Sequence, residues 1–376
     1  MKTYDLVLLY ALSRVHNHYL SVIRHLGRRL RIGVYVARTE KIVKTADTER
    51  LFLDLCVRFG ADILEDGHVT AGVLTLPQAR YDPGFLEGLA SQVTSRRRVA
   101  LQTFGHGREN LDALARAGAE RLYVYDRAVF ANKLRTDEDR RFVDDRFEVV
   151  EMGTPFARHP VFDPVATDYM IAVPTELSFV DARAKAAWAR SVNRLVDGIP
   201  PGDTVMLKLH NVADGGRLAE RGSRAFRAGR VLGAPLAGAA AAVLAAGDTW
   251  TSGRAREALA RVAFGAEYER LAGRTQALDH VTPYFNLGLE LFLPGVRKGL
   301  ITGRSSVVWY ALAQGLPVYN CDAETERARA ASVHDSYRAF GVPPCGGRLR
   351  FDPAAFGRVA DTVRHADLLD LLQKEL

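Results

Sequence analysis

From Asp5 to Leu12 the chain is almost continuously apolar, and from His16 to Leu30 its apolar positions recur at helical spacing. The alternation returns along the first half. RIGVYVA (31–37) precedes a helical stretch from Thr48 to Arg58. GVLTLP (72–77), RVALQTF (98–104), RLYVYD (121–126) and FEVVEMG (147–153) are further short apolar runs, and a helix around Glu109 to Ala117 separates two of them. Runs without polar alternation are strands covered on both faces. Their alternation with helices predicts a parallel sheet.

The pattern then restarts. GTPFARHPVFDPVATD (153–168) holds three prolines and few periodic apolar positions, as a linker does. After it come YMIAVPT (169–175), a helix from Asp181 to Val196, DTVMLKLH (203–210), KGLITG (298–303), a helix from Val307 to Ala313, and LPVYN (316–320). The fold class predicted is α/β, with two Rossmann-like doubly wound domains over 1–160 and 169–376. They face a cleft that takes ligands beyond the strand carboxyl ends. Residues 213–280, rich in Ala, Gly and Arg, read as two or three helices inserted beside that cleft.

Composition narrows the class. At 376 residues, 48% hydrophobic and 25% charged, the chain has the make-up of a globular protein with room for two cores. No apolar run reaches the roughly 18 residues of a membrane span. The N-terminal stretch lacks a small-residue cleavage site and reads as strand and helix. The net charge of +7 comes largely from arginine clusters at 27–31, 95–98 and 221–230. They read either as solvated surface or as attraction to an anionic substrate or an inner membrane leaflet. Without aromatic interleaving or a known motif they do not point to nucleic acid. Cys56, Cys321 and Cys345 show no metal or redox spacing, which suggests a reducing cytoplasm and no disulfide framework.

The chemistry concentrates in LITGRSSVVWYALAQGLPVYN (300–320). Strand GLIT delivers the chain to Gly303, where backbone can approach a ligand, and Ser305 and Ser306 stand at the start of the next helix. Free amides, hydroxyls and the helix dipole there favour a phosphate, although a serine at that place also serves as an ordinary N-cap. Lys208 and His210 alternate along the end of DTVMLKLH and so face one side, which suits a leaving phosphate. Glu290, among leucines in NLGLELFL, either points to solvent or accepts bonds from a diol such as ribose.

KLH, GLELFL and LITGRSSVVWYALAQGLPV together resemble the C-terminal half of GT-B-fold transferases that use cytidine-nucleotide donors. These are the CDP-glycerol glycerophosphotransferases of teichoic acid and capsule assembly, and the bacterial sialyl- and polysialyltransferases. The resemblance implies that Lys208, His210, Ser305 and Ser306 hold the donor phosphate and that Glu290 reaches the ribose. Asn211 stands where the family usually has proline.

Two stretches compete for the base that deprotonates the acceptor hydroxyl. In VALQTFGHGREN, His106 lies between two glycines after a buried strand, and resembles the His-Gly element of glycerophosphotransferases. In DILEDGHVT, Glu65 and Asp66 before Gly67 resemble the acidic motif of sialyltransferases, although an Asp-Gly pair is also an ordinary turn. His16, His18 and His25 read as surface or cleft-rim residues of the first helix. DED (137–139) follows a polar run and reads as a solvated turn or helix start, so no metal is expected. There is no Walker loop and no G-x-G-x-x-G after the first strand.

The function expected is a metal-independent, GT-B-type glycosyltransferase or polyol-phosphate transferase. It would use a CMP- or CDP-activated donor and an oligosaccharide or lipid-linked acceptor in building a surface polysaccharide or glycolipid. Its expected place is the cytoplasm, at the inner face of the membrane. The alternatives are a UDP-sugar 2-epimerase, a UDP-sugar transferase of the same fold, and a catalytically silent binding protein.

Overall fold

The computed structural model describes residues 2–10, 16–36, 46–77, 83–102, 107–131, 134, 136–173, 182–209, 260–261, 264–285, 287–303, 305, 307–321, 342, 345, 347–351, 353–354, 357, 359–361 and 367–376. The chain divides into two compact units, one of Met1–Ile42, Leu51–Asp163 and Gly357–Leu376, the other of Val43–Arg50 and Pro164–Phe356. Among the described residues no helix is long and apolar enough to cross a membrane.

The first unit is built on seven parallel strands: β1 (Lys2–Tyr10), β2 (Ile32–Val36), β3 (Ala61–Leu64), β4 (Val69–Leu76), β5 (Val93–Gln102), β6 (Arg121–Val124) and β7 (Glu148–Glu151). Their order across the sheet is β3-β2-β1-β4-β5-β6-β7. The sheet therefore grows outward in both directions from the β1/β4 pair, the doubly wound arrangement the apolar pattern predicts. One face, with Val7, Leu9, Leu74, Ala100 and Leu122, meets Leu86 and Ala90 of α3 (Pro83–Ser91), Leu111 and Leu114 of α4 (Arg108–Arg116), Phe130 of α5 (Arg127–Ala131) and Val143 of α6 (Asp137–Arg146). On the other face lie α1 (His16–Leu26) and α2 (Ala46–Arg58), where Tyr10 stacks on Phe52 at 4.4 Å.

Several elements escape the sequence pattern. Strand β3 is only four residues long and runs into the acidic stretch that follows it. Helix α3 carries Pro83, Gly84 and Gly88, which lower its intrinsic propensity, yet burial of Leu86 and Ala90 holds it. The DED stretch opens α6: Thr136 accepts from the Asp139 N–H at 3.0 Å, and Asp139 accepts from the Thr136 N–H at 3.2 Å. This is a capping box, and Asp137 is spent on Arg140 at 2.8 Å.

The second unit has five parallel strands, β8 (Thr167–Ala172), β9 (Val205–Lys208), β10 (Gln276–Ala277), β11 (Val296–Thr302) and β12 (Val318–Asn320), in the order β10-β9-β8-β11-β12. This sheet is also wound in two directions, from β8. Trp188, Val192 and Leu195 of α7 (Ala182–Asp197) and Tyr268 and Leu271 of α8 (Ala266–Ala272) cover Tyr169, Ile171, Ile301 and Tyr319. Helix α9 (Val307–Ala313) is buried at all seven positions, which is why its sequence shows no polar face. Close packing demands glycine twice. A Cβ on Gly295 would meet the Val165 carbonyl oxygen at 2.1 Å, and one on Gly299 would meet the Tyr319 ring at 2.4 Å. Of the proposed insertion, 213–259 lies outside the described residues, and α8 packs on α7.

The last helix, α10 (Leu368–Glu375), returns to the first sheet, a return that the order of apolar runs does not announce. Asp367 caps it, accepting from the Leu369 N–H at 2.9 Å.

Candidate functional site

Strand register assembles the candidate residues of the second unit. Lys208 pairs with Ala172, Ala172 with Thr302, and Thr302 with Asn320. One row thus crosses the carboxyl edge of the sheet. Because β8 runs on to β9 on one side and has β11 on the other, the β8/β11 junction is the point where the winding reverses. In open α/β sheets the loops leaving such a junction diverge and leave a crevice for a ligand. Gly303 and Ser305 follow β11 there.

Gly303 is buried and Ser305 half-buried. Ser305 Oγ accepts from the Val307 N–H at 3.3 Å, so the serine does cap α9. Capping uses the oxygen as acceptor and leaves the hydroxyl proton to donate. At seven residues α9 is barely two turns long, so the case for an anion rests on the strand-end position and the hydroxyl rather than on the helix dipole. Thr302 behind it is buried, its Oγ1 donating to the carbonyls of Ala172 at 3.4 Å and Gly303 at 3.2 Å. The first turn of this loop is thereby tied to the neighbouring strand.

Lys208 is 5% exposed at the tip of β9, its Nζ 3.4 Å from the Leu209 carbonyl. It shares a small pocket with Leu209, Leu278, Asp279 and Phe285. Glu290 is half-buried on a short turn, Leu289–Leu291, whose two leucines are buried. That turn packs against α9, so the fold brings the carboxylate's turn against the helix behind Ser305. His210 and Ser306 lie outside the described residues.

In the first unit, Glu65 and Asp66 are exposed at the carboxyl end of β3, the outermost strand. Gly67 follows at φ +84°, so the Asp66–Gly67 step is a turn that glycine makes possible. Burial, then the Asp66 charge, push the Tyr35 hydroxyl above its usual range, which puts that carboxylate beside Tyr35. The other candidate base, His106, lies outside the described residues. The strand that leads to it, β5, adjoins β4, one strand from the β1/β4 junction.

Near that junction the structure shows a buried polar cluster around His18, which by its sequence alone reads as a surface or cleft-rim residue. His18 is fully buried, not a surface or rim residue. Its Nε2 is 2.5 Å from Tyr125 Oη, and its ring lies against Phe156 at 4.9 Å. Burial pushes its imidazole down to about 3, so it is neutral at pH 7. Beside it Tyr19 donates to the Leu9 carbonyl at 3.2 Å and Thr75 to Tyr19 Oη at 3.2 Å. Next to Tyr125, buried Asp126 caps α5 by accepting from the Val129 N–H at 2.8 Å. The helical period of the first helix does mark the inward face: Tyr19, Val22, Ile23 and Leu26 are apolar there. A histidine on that face is not distinguishable from an exposed one by residue type. His25, half-buried, has its Nε2 3.2 Å from the Pro160 carbonyl.

No protein-family model and no curated protein sequence matches the chain. Among solved structures it is similar to the calicheamicin glycosyltransferase CalG4, at 13% identity over 100% of this chain and 99% of that one, with a TM-score of 0.40. It is similar at 10% identity to S. aureus MnaA solved with UDP, over 100% and 94% of the two chains, with a TM-score of 0.46. A Methanocaldococcus jannaschii UDP-GlcNAc 2-epimerase, solved with UDP-GlcNAc and UDP, is likewise similar at 10% over the whole of both chains, with a TM-score of 0.45. Likenesses this distant carry nothing about what this chain binds.

Proposed function

We propose that this chain is a GT-B-type nucleotide-dependent transferase, with the donor held at the carboxyl edge of the second sheet. The observation that carries the reading is the place of Gly303 and Ser305 at the β8/β11 junction, just beyond Thr302 of the strand-end row that also contains Lys208. A donor phosphate there receives the Ser305 hydroxyl and the Lys208 ammonium, with Ser306 and His210 completing the cradle. Glu290 accepts from the ribose hydroxyls. The resemblance that KLH, GLELFL and GRSS carry to cytidine-nucleotide transferases favours a CMP- or CDP-linked donor.

The acceptor hydroxyl attacks the activated carbon or phosphorus as its proton passes to the base, His106 in preference to Asp66 or Glu65. The bond to the departing nucleotide breaks as the new bond forms, and the electron pair leaves with the nucleotide oxygen. Fixed cationic and hydroxyl groups at that oxygen lower the barrier because they need no reorganisation as charge develops. The acceptor is an oligosaccharide or lipid-linked hydroxyl, and the exposed arginines suit anionic partners such as an inner membrane leaflet.

The test is calorimetric titration of CMP, CDP, UMP, UDP and GDP, with and without chelator, into the wild type, Ser305→Ala and Lys208→Met. Cytidine nucleotides are expected to bind at least tenfold more tightly than the others, and each substitution to weaken them about tenfold, or about 1.4 kcal/mol. A preference for UDP would replace the donor with a UDP-sugar and bring the epimerase forward. No nucleotide binding by the folded protein would overturn the reading.

A further inference from the structure

The three cysteines look unrelated in sequence, yet the fold brings two of them together. Cys321 Sγ and Cys345 Sγ, 24 positions apart, are 3.9 Å from each other, in van der Waals contact. Both residues are buried, at 1% and 5% exposure. Their backbones are fixed: the Cys321 N–H donates to the Thr302 carbonyl at 2.8 Å and the Cys345 N–H to the Asn320 carbonyl at 2.7 Å. Cys345 thus extends the edge of the sheet beyond β12, and its side chain meets that of the residue following β12.

We propose that Cys321 and Cys345 form a reversible dithiol–disulfide site, closed by a hydroperoxide and reopened by a dithiol reductant. The sulfurs need only close from contact to the roughly 2.0 Å of a disulfide bond. The two thiols are not equivalent. The Cys321 thiol directed at Cys345 outweighs burial and, with backbone N–H groups of Gly347 and Arg348, brings the Cys345 thiol down to about 7. Cys345 is therefore the attacking thiolate. It attacks one peroxide oxygen, the O–O bond breaks, and hydroxide leaves, giving a sulfenic acid. Cys321 sulfur then displaces the sulfenyl hydroxyl, the S–S bond forms, and the Cys321 proton leaves with that hydroxyl as water. Two electrons from the sulfur pair have reduced one hydrogen peroxide to two waters, the departing hydroxide taking up the proton that the Cys345 thiol had released. Both sulfurs are buried, so the oxidant proposed is a small one. Cys56 is an internal control: it is buried and burial pushes its thiol up, so it stays a thiol.

The test treats the full native chain with hydrogen peroxide, removes the oxidant, unfolds the protein and alkylates it for peptide mapping. One alkylated cysteine, Cys56, is expected, with the Cys321 and Cys345 peptides linked and all three thiols recovered after a dithiol. Cys321→Ser should stop at a sulfenic acid on Cys345, trapped by dimedone. Cys345→Ser should yield none on Cys321 at the same dose. Three alkylated cysteines, a link through Cys56, or oxidation of Cys345 to sulfinic acid without a link would overturn the proposal. The wild-type map decides it by itself if either serine variant fails to fold.

Discussion

Single residues in this protein differ most in what burial does to their protons. His18 is fully buried and desolvation lowers its pKa, so the fold binds it neutral, with Tyr125 at one nitrogen. The unfolded chain binds a proton at that imidazole below pH 6.5, and the folded one only below about 3. Its contribution is complete above pH 6.5 and is lost as pH falls, by about 1.4 kcal/mol per pH unit through that window. Unfolding midpoints measured from pH 7.5 to 4 should therefore fall on the acid side. In His18→Gln the slope should flatten, while stability at pH 7 drops from the altered packing. An unchanged slope in that variant would assign it to other groups.

At the scale of elements, the C-terminal helix shows how much one carboxylate can decide. Glu375 is 4% exposed and accepts from Arg121 and, at 2.5 Å, from Tyr123 on β6; Arg97 on β5 is 3.6 Å away. Arg121 and Tyr123 alternate with Leu122 and Val124 along β6, so the sheet presents polar groups to α10 and apolar ones to α4. Glu375→Ala leaves the buried Tyr123 phenol without its acceptor, while Arg121 keeps Glu148 at 2.7 Å. It should cost about 1–3 kcal/mol and raise hydrogen exchange through 368–375. Tyr123→Phe removes one neutral donor and should cost about 1 kcal/mol. Wild-type protection of α10 in Glu375→Ala would show that Leu368, Leu369 and Leu372 suffice to hold it.

For the molecule as a whole, the position of its tryptophans makes the two units separable by experiment. All three, Trp188, Trp250 and Trp309, fall within 164–356, the span of the second unit. Tryptophan fluorescence therefore reports that unit. A nucleotide at a hundredfold its Kd should stabilise the unit by about 2.7 kcal/mol and raise its fluorescence-detected melting temperature. Hydrogen exchange should slow in β8, β9 and β11 and stay unchanged in β1 to β7. Equal protection in both sheets would mean that the nucleotide is not held by the second unit's strand ends alone.

Much of this architecture is legible along the chain because its physical cause is local. A strand buried on both faces must be apolar throughout, so β1, β2, β4, β8 and β11 declare themselves, as does the proline-bearing break between the two series. Loops that leave strand ends carry glycine and hydroxyl residues, so Gly303 and Ser305 stand out before any coordinate is known. What depends on contacts between distant residues is invisible there. Strand β3 is too short to show a period, and α3 forms against the propensity of its glycines because its leucine and alanine are buried. The burial of His18, the hold of Glu375 on the first sheet and the meeting of Cys321 with Cys345 each join residues 24 or more positions apart. Residue type sets what such groups can do; only the packing of strands and helices decides which of them meet and how much water reaches them.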